Sequence, residues 1–161
     1  MRSVLFLLSA LMIVVHPGCA SAGVDNGSLV GKKAPDFKLE RLKDGATSLQ
    51  ELRKSGKAIV FFWATWCPHC REQLKEVIAR KEELSKQGIA VALVDIGEDA
   101  ATVQKFLAAK GYDLNVFLDV NSSTAEIYQV VGVPSLFFVG ADGVVRDMQY
   151  GFPTDYKEIL K

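Results

Sequence analysis

The chain has 161 residues, which is room for one ordinary domain and little more. Hydrophobic residues make up 49% and charged residues 24%, so a disordered or collagen-like chain is excluded. Nineteen basic and nineteen acidic side chains cancel, which gives no support for a nucleic-acid partner. Three cysteines are too few for a disulfide-stapled miniprotein or a structural zinc site.

The first 22 residues differ from the rest of the chain. Arg2 supplies a positive charge, Val4–Val15 is a largely apolar run, and the small residues Ala20-Ser21-Ala22 follow. This pattern is typical of a secretory signal that is cleaved after Ala22. The apolar run is shorter than the roughly 20 residues that a transmembrane helix needs. An uncleaved membrane anchor is the alternative.

Cys19 suggests a second kind of processing. Gly18-Cys19-Ala20 partly resembles a bacterial lipoprotein site, in which the cysteine is lipidated, although the two residues before the glycine are unfavourable. Cleavage after Ala22 removes Cys19 and lipidation blocks its thiol, so neither form has an unpaired third thiol in an oxidising compartment. We therefore expect a signal over 1–22, a flexible lead-in over 23–30 and one domain over 31–161.

A buried strand and a long helix are predicted first within the domain. Ala58–Ala64 is continuously apolar and rich in β-formers, as expected for a strand buried on both faces. The helix is predicted over 68–87, with Cys67 as N-cap, Pro68 in the first helical position and Gly88 after the last turn. Its inner face is marked at helical spacing by Leu74, Val77 and Ile78.

A second strand–helix pair follows. Ile89–Ile96 is a second apolar strand, and Asp99 can cap a helix that runs through Lys110 and ends at Gly111. Inner positions of this helix are Val103, Phe106 and Leu107.

The last third of the chain predicts shorter elements. Asn115–Leu118 is a short strand, and Ser123 with Glu126 forms a candidate capping box. The helix after that box would carry Ile127, Val130 and Val131 and end at Gly132. A hairpin and a final helix complete the chain, over Ser135–Val139, Val144–Tyr150 and Thr154–Lys161. The pattern predicts a mixed sheet with helices on both faces.

Cys67 and Cys70 are the strongest functional signal. Two cysteines three apart can bring their sulfurs together within one helical turn, so a disulfide can form and break with little backbone movement. Cys67, at the N-cap, faces unpaired amide groups and the positive end of the helix dipole, which favour a thiolate. Cys70 lies on the stripe that leads to Leu74. The positions predict an exposed, low-pKa nucleophile and a shielded resolving thiol.

This asymmetry predicts thiol–disulfide exchange. The Cys67 thiolate attacks a partner disulfide, and Cys70 then attacks Cys67 and releases the reduced partner; the reverse steps oxidise a dithiol. Pro68 and His69 lie between the cysteines and would tune the thiolate, with His69 lowering its pKa and making the pair more oxidising. Trp66, beside the nucleophile, is predicted to belong to the partner-docking surface.

Three blander interpretations of the motif stay open. A structural disulfide across three residues closes a tiny loop and would stabilise little. Copper or zinc binding by Cys67, Cys70 and His69 lacks further ligands at zinc-finger spacing, so neither a metal nor an organic cofactor is expected. The third interpretation is that His69 is an exposed helix residue without influence on the thiols.

The segment Phe62–Cys70 (FWATWCPHC) resembles the active site of the thioredoxin fold and, more narrowly, that of the extracytoplasmic TlpA/ResA-like thiol–disulfide oxidoreductases of bacteria. Gly31–Phe37 resembles the opening of that family, Val94–Glu98 its extra βα insertion, and Gly132–Ser135 its cis-proline loop. The resemblance implies an α/β, thioredoxin-like fold in which a central mixed sheet is flanked by helices and carries the added βα unit.

The resemblance also implies how a partner is bound. Val133–Pro134 would be a cis peptide against the disulfide, and the Val133 backbone would pair with the partner's chain in a short β-augmentation. Implied substrates are protein disulfides, including the haem-attachment cysteines of apocytochrome c. The implied direction is reduction, with electrons from a membrane thiol-transfer protein. No stretch is typical of a dimerisation helix, so a monomer is expected.

Two positions depart from the family's pattern. Gln73 stands where many members have a glutamate, and Lys75 where they have a proline; Gln73 cannot titrate. The Pro68-His69 pair resembles that of dedicated disulfide-forming oxidases. A thiol oxidase is therefore the alternative function, beside a non-catalytic copper or zinc chaperone. A peroxidase is disfavoured, because Ala64 stands where peroxiredoxins need a threonine.

Overall fold

The structure is a computed structural model of the chain, and it describes residues 28–54 and 56–161. The predicted signal over 1–22 and the candidate lipidation site Cys19 lie outside the described residues. Within the described ranges, no helix is long and apolar enough to cross a membrane. The side chain of Leu29 packs against a hydrophobic core, so packed structure already begins inside the segment predicted as a lead-in.

Strands and helices alternate along the chain. The strands are β1 (Lys38–Leu39), β2 (Thr47–Ser48), β3 (Lys57–Trp63), β4 (Ile89–Ile96), β5 (Phe117–Asp119), β6 (Ser135–Val139) and β7 (Val145–Gln149). The helices are α1 (Leu49–Arg53), α2 (Pro68–Ala79), α3 (Lys81–Lys86), α4 (Ala100–Lys110), α5 (Ser123–Ile127) and α6 (Tyr156–Ile159). The two buried strands, the cap at Asp99 and the left-handed glycine Gly111 are where the sequence predicts them. The elements β1, β2 and α1 were not predicted.

A five-stranded sheet in the order β5-β4-β3-β6-β7 forms the centre of the molecule. β3 runs parallel to β4 and antiparallel to β6, which confirms the mixed sheet. Alternation along β3 sends Phe61 and Trp63 into the core on one face and Val60 and Phe62 into the core on the other. The first of these two cores also contains both cysteines of the motif.

The helix predicted over 68–87 is two helices, with a break at Arg80. Beyond the break, Leu84 of α3 is buried, with 1% of its surface exposed. Leu84 follows Val77 by seven residues, which is about two helical turns, so the buried stripe of Leu74 and Val77 continues across the break.

The capping box predicted at Ser123 and Glu126 is wrong. Ser122 is the N-cap of α5 and makes no capping bond with its side chain. The buried carboxylate of Asp119 caps the helix instead, accepting the backbone N–H groups of Thr124 at 3.1 Å and Ala125 at 2.8 Å. The prediction that this helix reaches Gly132 is also wrong, because α5 ends at Ile127 and leaves that residue half-exposed.

The C-terminal hairpin and helix are shorter than predicted. β6 matches its predicted range, β7 is one residue shorter at each end, and the last helix spans only Tyr156–Ile159. Tyr156 and Leu160 are nonetheless buried, so this short helix packs against the core. β5 begins two residues later than predicted, at Phe117.

Candidate active site

Cys67 and Cys70 form a disulfide at the start of α2. Four residues connect the end of β3 to the first residue of α2. Cys67 is the N-cap and Pro68 the first helical residue, as predicted. The two Cα atoms are 5.2 Å apart, within the usual range for a disulfide. The backbone N–H of Cys70 donates to Cys67 Sγ at 3.1 Å, so the helix N-terminus places a donor on that sulfur.

The exposure of the two cysteines differs less than the sequence predicts. Cys70 is fully buried, but Cys67 is only 4% exposed and counts as a core residue too. The predicted exposed nucleophile is therefore a nearly buried sulfur. The reason is tertiary, because the loop before β6 lies over the disulfide.

That loop contains the cis peptide Val133–Pro134 that the family resemblance implies. The carbonyl oxygen of Val133 is 3.6 Å from Cys67 Sγ, and Pro134 is buried beside it. The hydroxyl of Ser135 donates to the Gly132 carbonyl at 2.7 Å and closes the loop. The Val133 backbone thus borders the sulfur, as a docking edge must.

The side chains that flank Cys67 along the chain are exposed. Trp66 is 65% exposed, and Pro68 and His69 are exposed as well. Within the described part of the chain, His69 makes no hydrogen bond and no ion pair, so its tuning role stays a prediction. Val131 at 87% and Tyr150 at 59% are two further exposed apolar residues, next to the Val133 loop and at the end of β7. The predicted helix over this segment was to include Val131, which is wrong because α5 ends at Ile127.

A polar network that the sequence analysis missed holds the turn before Cys67. Glu98 accepts the backbone N–H of Thr65 at 2.6 Å and its hydroxyl at 2.7 Å. From the other side, Arg71 Nε donates to the Thr65 carbonyl at 2.9 Å. Thr65 is therefore fixed by three bonds, two residues before the first cysteine. The only sequence signal was Glu98 in the insertion segment, which carried no assigned role.

Asp95 is the second missed residue. Its side chain is completely buried on β4, level with Trp63 of β3. Neither carboxylate oxygen has a hydrogen-bond partner among the described residues. Burial raises the pKa of Asp95 to about 8, the nearby Glu98 carboxylate adds to the shift, and the backbone N–H of Glu98 offsets part of it. Asp95 is therefore mostly neutral at pH 7.

Gln73, at the position where the family often has a glutamate, has a structural contact here. Its side-chain oxygen accepts the backbone N–H of Phe152 at 2.6 Å. The contact ties α2 to the segment between β7 and α6.

The described residues hold no group of three or more His, Cys, Asp or Glu side chains placed to bind a metal.

The fold and the redox-active cysteine pair define a thioredoxin-like thiol–disulfide oxidoreductase, which is an enzyme. The chain belongs to the AhpC/TSA family, whose model matches residues 30–148.

Similar proteins agree with this class. The chain is 27% identical over 136 residues to the thiol-disulfide oxidoreductase ResA of Bacillus subtilis, covering 81% of this chain and 75% of the relative. It is 32% identical over 151 residues to the thiol:disulfide interchange protein DsbE of Yersinia pestis, covering 89% and 78%. Among solved structures, a Chlorobium tepidum protein named thiol:disulfide interchange protein DsbE matches with a TM-score of 0.70 and 29% identity, over 80% of this chain and 90% of that one. The thioredoxin domain of a Bacteroides vulgatus thiol-disulfide oxidoreductase matches with a TM-score of 0.71 and 20% identity, over 81% and 94%.

Proposed function

We propose that this enzyme is an extracytoplasmic reductase of protein disulfides, with apocytochrome c among its substrates and a membrane thiol-transfer protein as its electron donor. The observation that carries the proposal is the placement of Cys67 Sγ at a helix N-terminus, 3.6 Å from the Val133 carbonyl and beside the exposed Trp66. Similarity to proteins named thiol-disulfide oxidoreductase ResA and thiol:disulfide interchange protein DsbE supports thiol–disulfide exchange as the reaction, and the direction follows from the TlpA/ResA-like resemblance of the sequence.

In the reduced enzyme, Cys67 is the nucleophile. The Cys70 N–H and the dipole of α2 stabilise negative charge on its sulfur. The thiolate attacks one sulfur of the substrate disulfide, forming a Cys67–substrate bond and releasing the other substrate sulfur as a thiolate. Cys70 then loses its proton and attacks Cys67, which frees the second substrate thiolate and forms the Cys67–Cys70 disulfide. Two electrons pass from the enzyme to the substrate.

The surface around Cys67 fits an extended polypeptide. The Val133 backbone borders the sulfur and can pair with a strand of the substrate. Trp66, Val131 and Tyr150 add exposed apolar area at the same end of the sheet. Main-chain pairing with apolar contacts predicts broad selectivity for unfolded chains that carry a disulfide.

Cysteine variants of the full chain test the roles. Cys70→Ser should accumulate a mixed disulfide through Cys67 with a disulfide-bonded peptide, detected by mass spectrometry after acid quenching. Cys67→Ser should show no exchange. A stable adduct through Cys70 in the Cys67→Ser variant would reverse the assignment.

The reduction potential tests the direction. A reductase requires a potential well below roughly −200 mV, toward the value of about −270 mV of thioredoxin. The exposed position of His69 between the cysteines favours one second candidate, a thiol oxidase, which requires a value near about −120 mV. In that case His69→Gln should raise the pKa of the Cys67 thiol and lower the potential. An unchanged potential would leave His69 without a tuning role.

Export is proposed from the pattern over 1–22. Mass spectrometry of the full-length gene product from a bacterial host distinguishes the forms, since a chain that begins at Gly23 indicates cleavage and a diacylglycerol adduct on Cys19 indicates lipidation. An intact chain recovered only from the cytoplasm would contradict export. Sedimentation of the mature form tests the expected monomer.

A further inference from the structure

Asp95 lies behind the active-site turn, on the face of the sheet that carries the cysteines. On β4 it follows Leu93 by two residues, and Leu93 belongs to the core that contains Cys67 and Cys70. Strand alternation therefore sends the Asp95 side chain to the same face. Its neighbours in register are Trp63 on β3 and Leu118 on β5, neither of which carries a charge.

Few charged groups belong to the elements packed around Asp95. Helix α4 faces this side of the sheet with uncharged side chains, Val103, Phe106 and Leu107. Arg71 of α2 is directed elsewhere, with its Nε on the Thr65 carbonyl and its guanidinium 5.8 Å from the centre of the Phe106 ring. Glu98, in the turn after β4, is the charged group that acts on Asp95. A buried acid with no donor and one acidic neighbour retains its proton more readily than it ionises.

Glu98 connects this proton to the active site. Its two oxygens accept the backbone N–H and the hydroxyl of Thr65, so the carboxylate is fixed against the turn that leads to Cys67. A protonated Asp95 can donate to Glu98, whereas an ionised Asp95 repels it. The protonation state of Asp95 therefore affects the position of the Glu98 carboxylate and, through its two hydrogen bonds, that of Thr65.

We propose that Asp95 is a positioning residue of the redox site: its proton, held next to the Glu98 carboxylate, makes the Cys67–Cys70 equilibrium depend on pH through Glu98 and Thr65. The inference rests on the proposed function insofar as it requires a redox-active cysteine pair.

Two glutathione thiols are oxidised to glutathione disulfide, which forms one S–S bond and releases two protons and two electrons. The Cys67–Cys70 bond breaks, and the two electrons with one of these protons give a Cys67 thiolate and a Cys70 thiol. The new negative charge on Cys67 makes Asp95 hold its proton more tightly. At a pH where Asp95 of the oxidised enzyme has lost its proton, reduction therefore takes up one more proton from solvent.

The test is the equilibrium with glutathione from pH 6 to 9.5, for the wild type, Asp95→Asn and Glu98→Gln, with Glu72→Gln as control. Glu72 is an exposed carboxylate on α2 that pairs with Lys75. In the alkaline range, the wild-type equilibrium constant should change up to about tenfold more per pH unit than that of Asp95→Asn. Glu72→Gln should follow the wild type. Glu98→Gln should move the inflection to lower pH, since the repelling charge is removed.

The proposal would be overturned if the equilibrium constants of the wild type and Asp95→Asn depended on pH in the same way. A constant offset between the two curves would indicate a structural role only. Infrared spectroscopy of the oxidised wild type gives an independent readout if Asp95→Asn does not fold. A protonated-carboxyl C=O band should be present at pH 7, disappear by pH 9.5, and disappear at lower pH in Glu98→Gln. Its absence at pH 7 would also overturn the proposal. A failure of the wild type to exchange with glutathione would instead contradict the proposed function, because the infrared band does not depend on exchange.

Discussion

Asp95 and Asp119 are two acids at the ends of neighbouring parallel strands, and both side chains are completely buried. The carboxylate of Asp119 accepts two backbone N–H groups and caps α5. The carboxylate of Asp95 makes no hydrogen bond of ordinary geometry among the described residues, and it lies near a second acid. Two equally buried acids therefore differ in their supply of donors, and at Asp95 burial raises the pKa to about 8.

The largest expected effect is a change of stability with pH at Asp95. The folded-state pKa of Asp95 is about 8 against an ordinary value of 3.8, so between these values the folded chain holds a proton that the unfolded chain has released. Its contribution to stability is present below the lower value and is lost as the pH rises through about 8. The Asp95→Asn variant does not lose stability in this way, because an asparagine side chain does not ionise. The stability of Asp95→Asn relative to the wild type should therefore grow from pH 4 to 8, by at most about 5 kcal/mol.

Urea denaturation at several pH values measures this difference. A fixed offset between Asp95→Asn and the wild type would show that Asp95 ionises normally in the folded state.

Asp119 should respond to truncation of its side chain. Asp119→Ala leaves the N–H groups of Thr124 and Ala125 without their buried acceptor, which should cost about 3 kcal/mol. Asp119→Asn keeps one acceptor oxygen and should lose about half as much. Urea denaturation at pH 7 measures both, and a loss below about 1 kcal/mol for Asp119→Ala would contradict the capping role.

Thr65→Val cuts one link between the Asp95–Glu98 pair and the turn while keeping the backbone N–H bond. The loss of the 2.7 Å hydroxyl bond to a carboxylate should destabilise the fold by about 1.5 kcal/mol. The alkylation rate of reduced Cys67, followed against pH, should also change, because the turn before the nucleophile is held less firmly. Thr102→Val is the matched control, since Thr102 bonds through its backbone N–H to Asp99, away from the cysteines. Equal alkylation profiles in all three proteins would argue against the link.

The smallest expected effect concerns Gln73. Gln73→Ala removes the acceptor of the Phe152 N–H and should cost about 1 kcal/mol, with no change in how the reduction potential depends on pH. Gln73 would then be an anchor, like Asp119, and not a proton-holding group, like Asp95. A changed pH dependence would assign it to the redox chemistry.

Much of the scaffold was predictable because its signals are local. Continuous apolar runs predicted β3 and β4, and Pro68, Asp99 and Gly111 predicted helix ends. Each of these signals acts within a few residues along the chain. The local capping signal failed at Ser123, where the acceptor comes from Asp119 on the preceding strand.

The sequence by itself determined the chemistry of the protein. Two cysteines three apart, after an apolar strand and at a helix start, already specify where the disulfide forms and which sulfur the helix dipole favours. Those relations lie within one turn, so they need no other part of the chain.

Only the tertiary structure decided what surrounds that disulfide. Glu98 reaches Thr65 across 33 positions of sequence, and the Val133 loop reaches Cys67 across 66. The same packing buries Asp95 without a donor and makes Cys67 less exposed than its position implies. Desolvation and the repulsion between carboxylates depend on which groups meet in space, and the folded sheet alone brings these groups together.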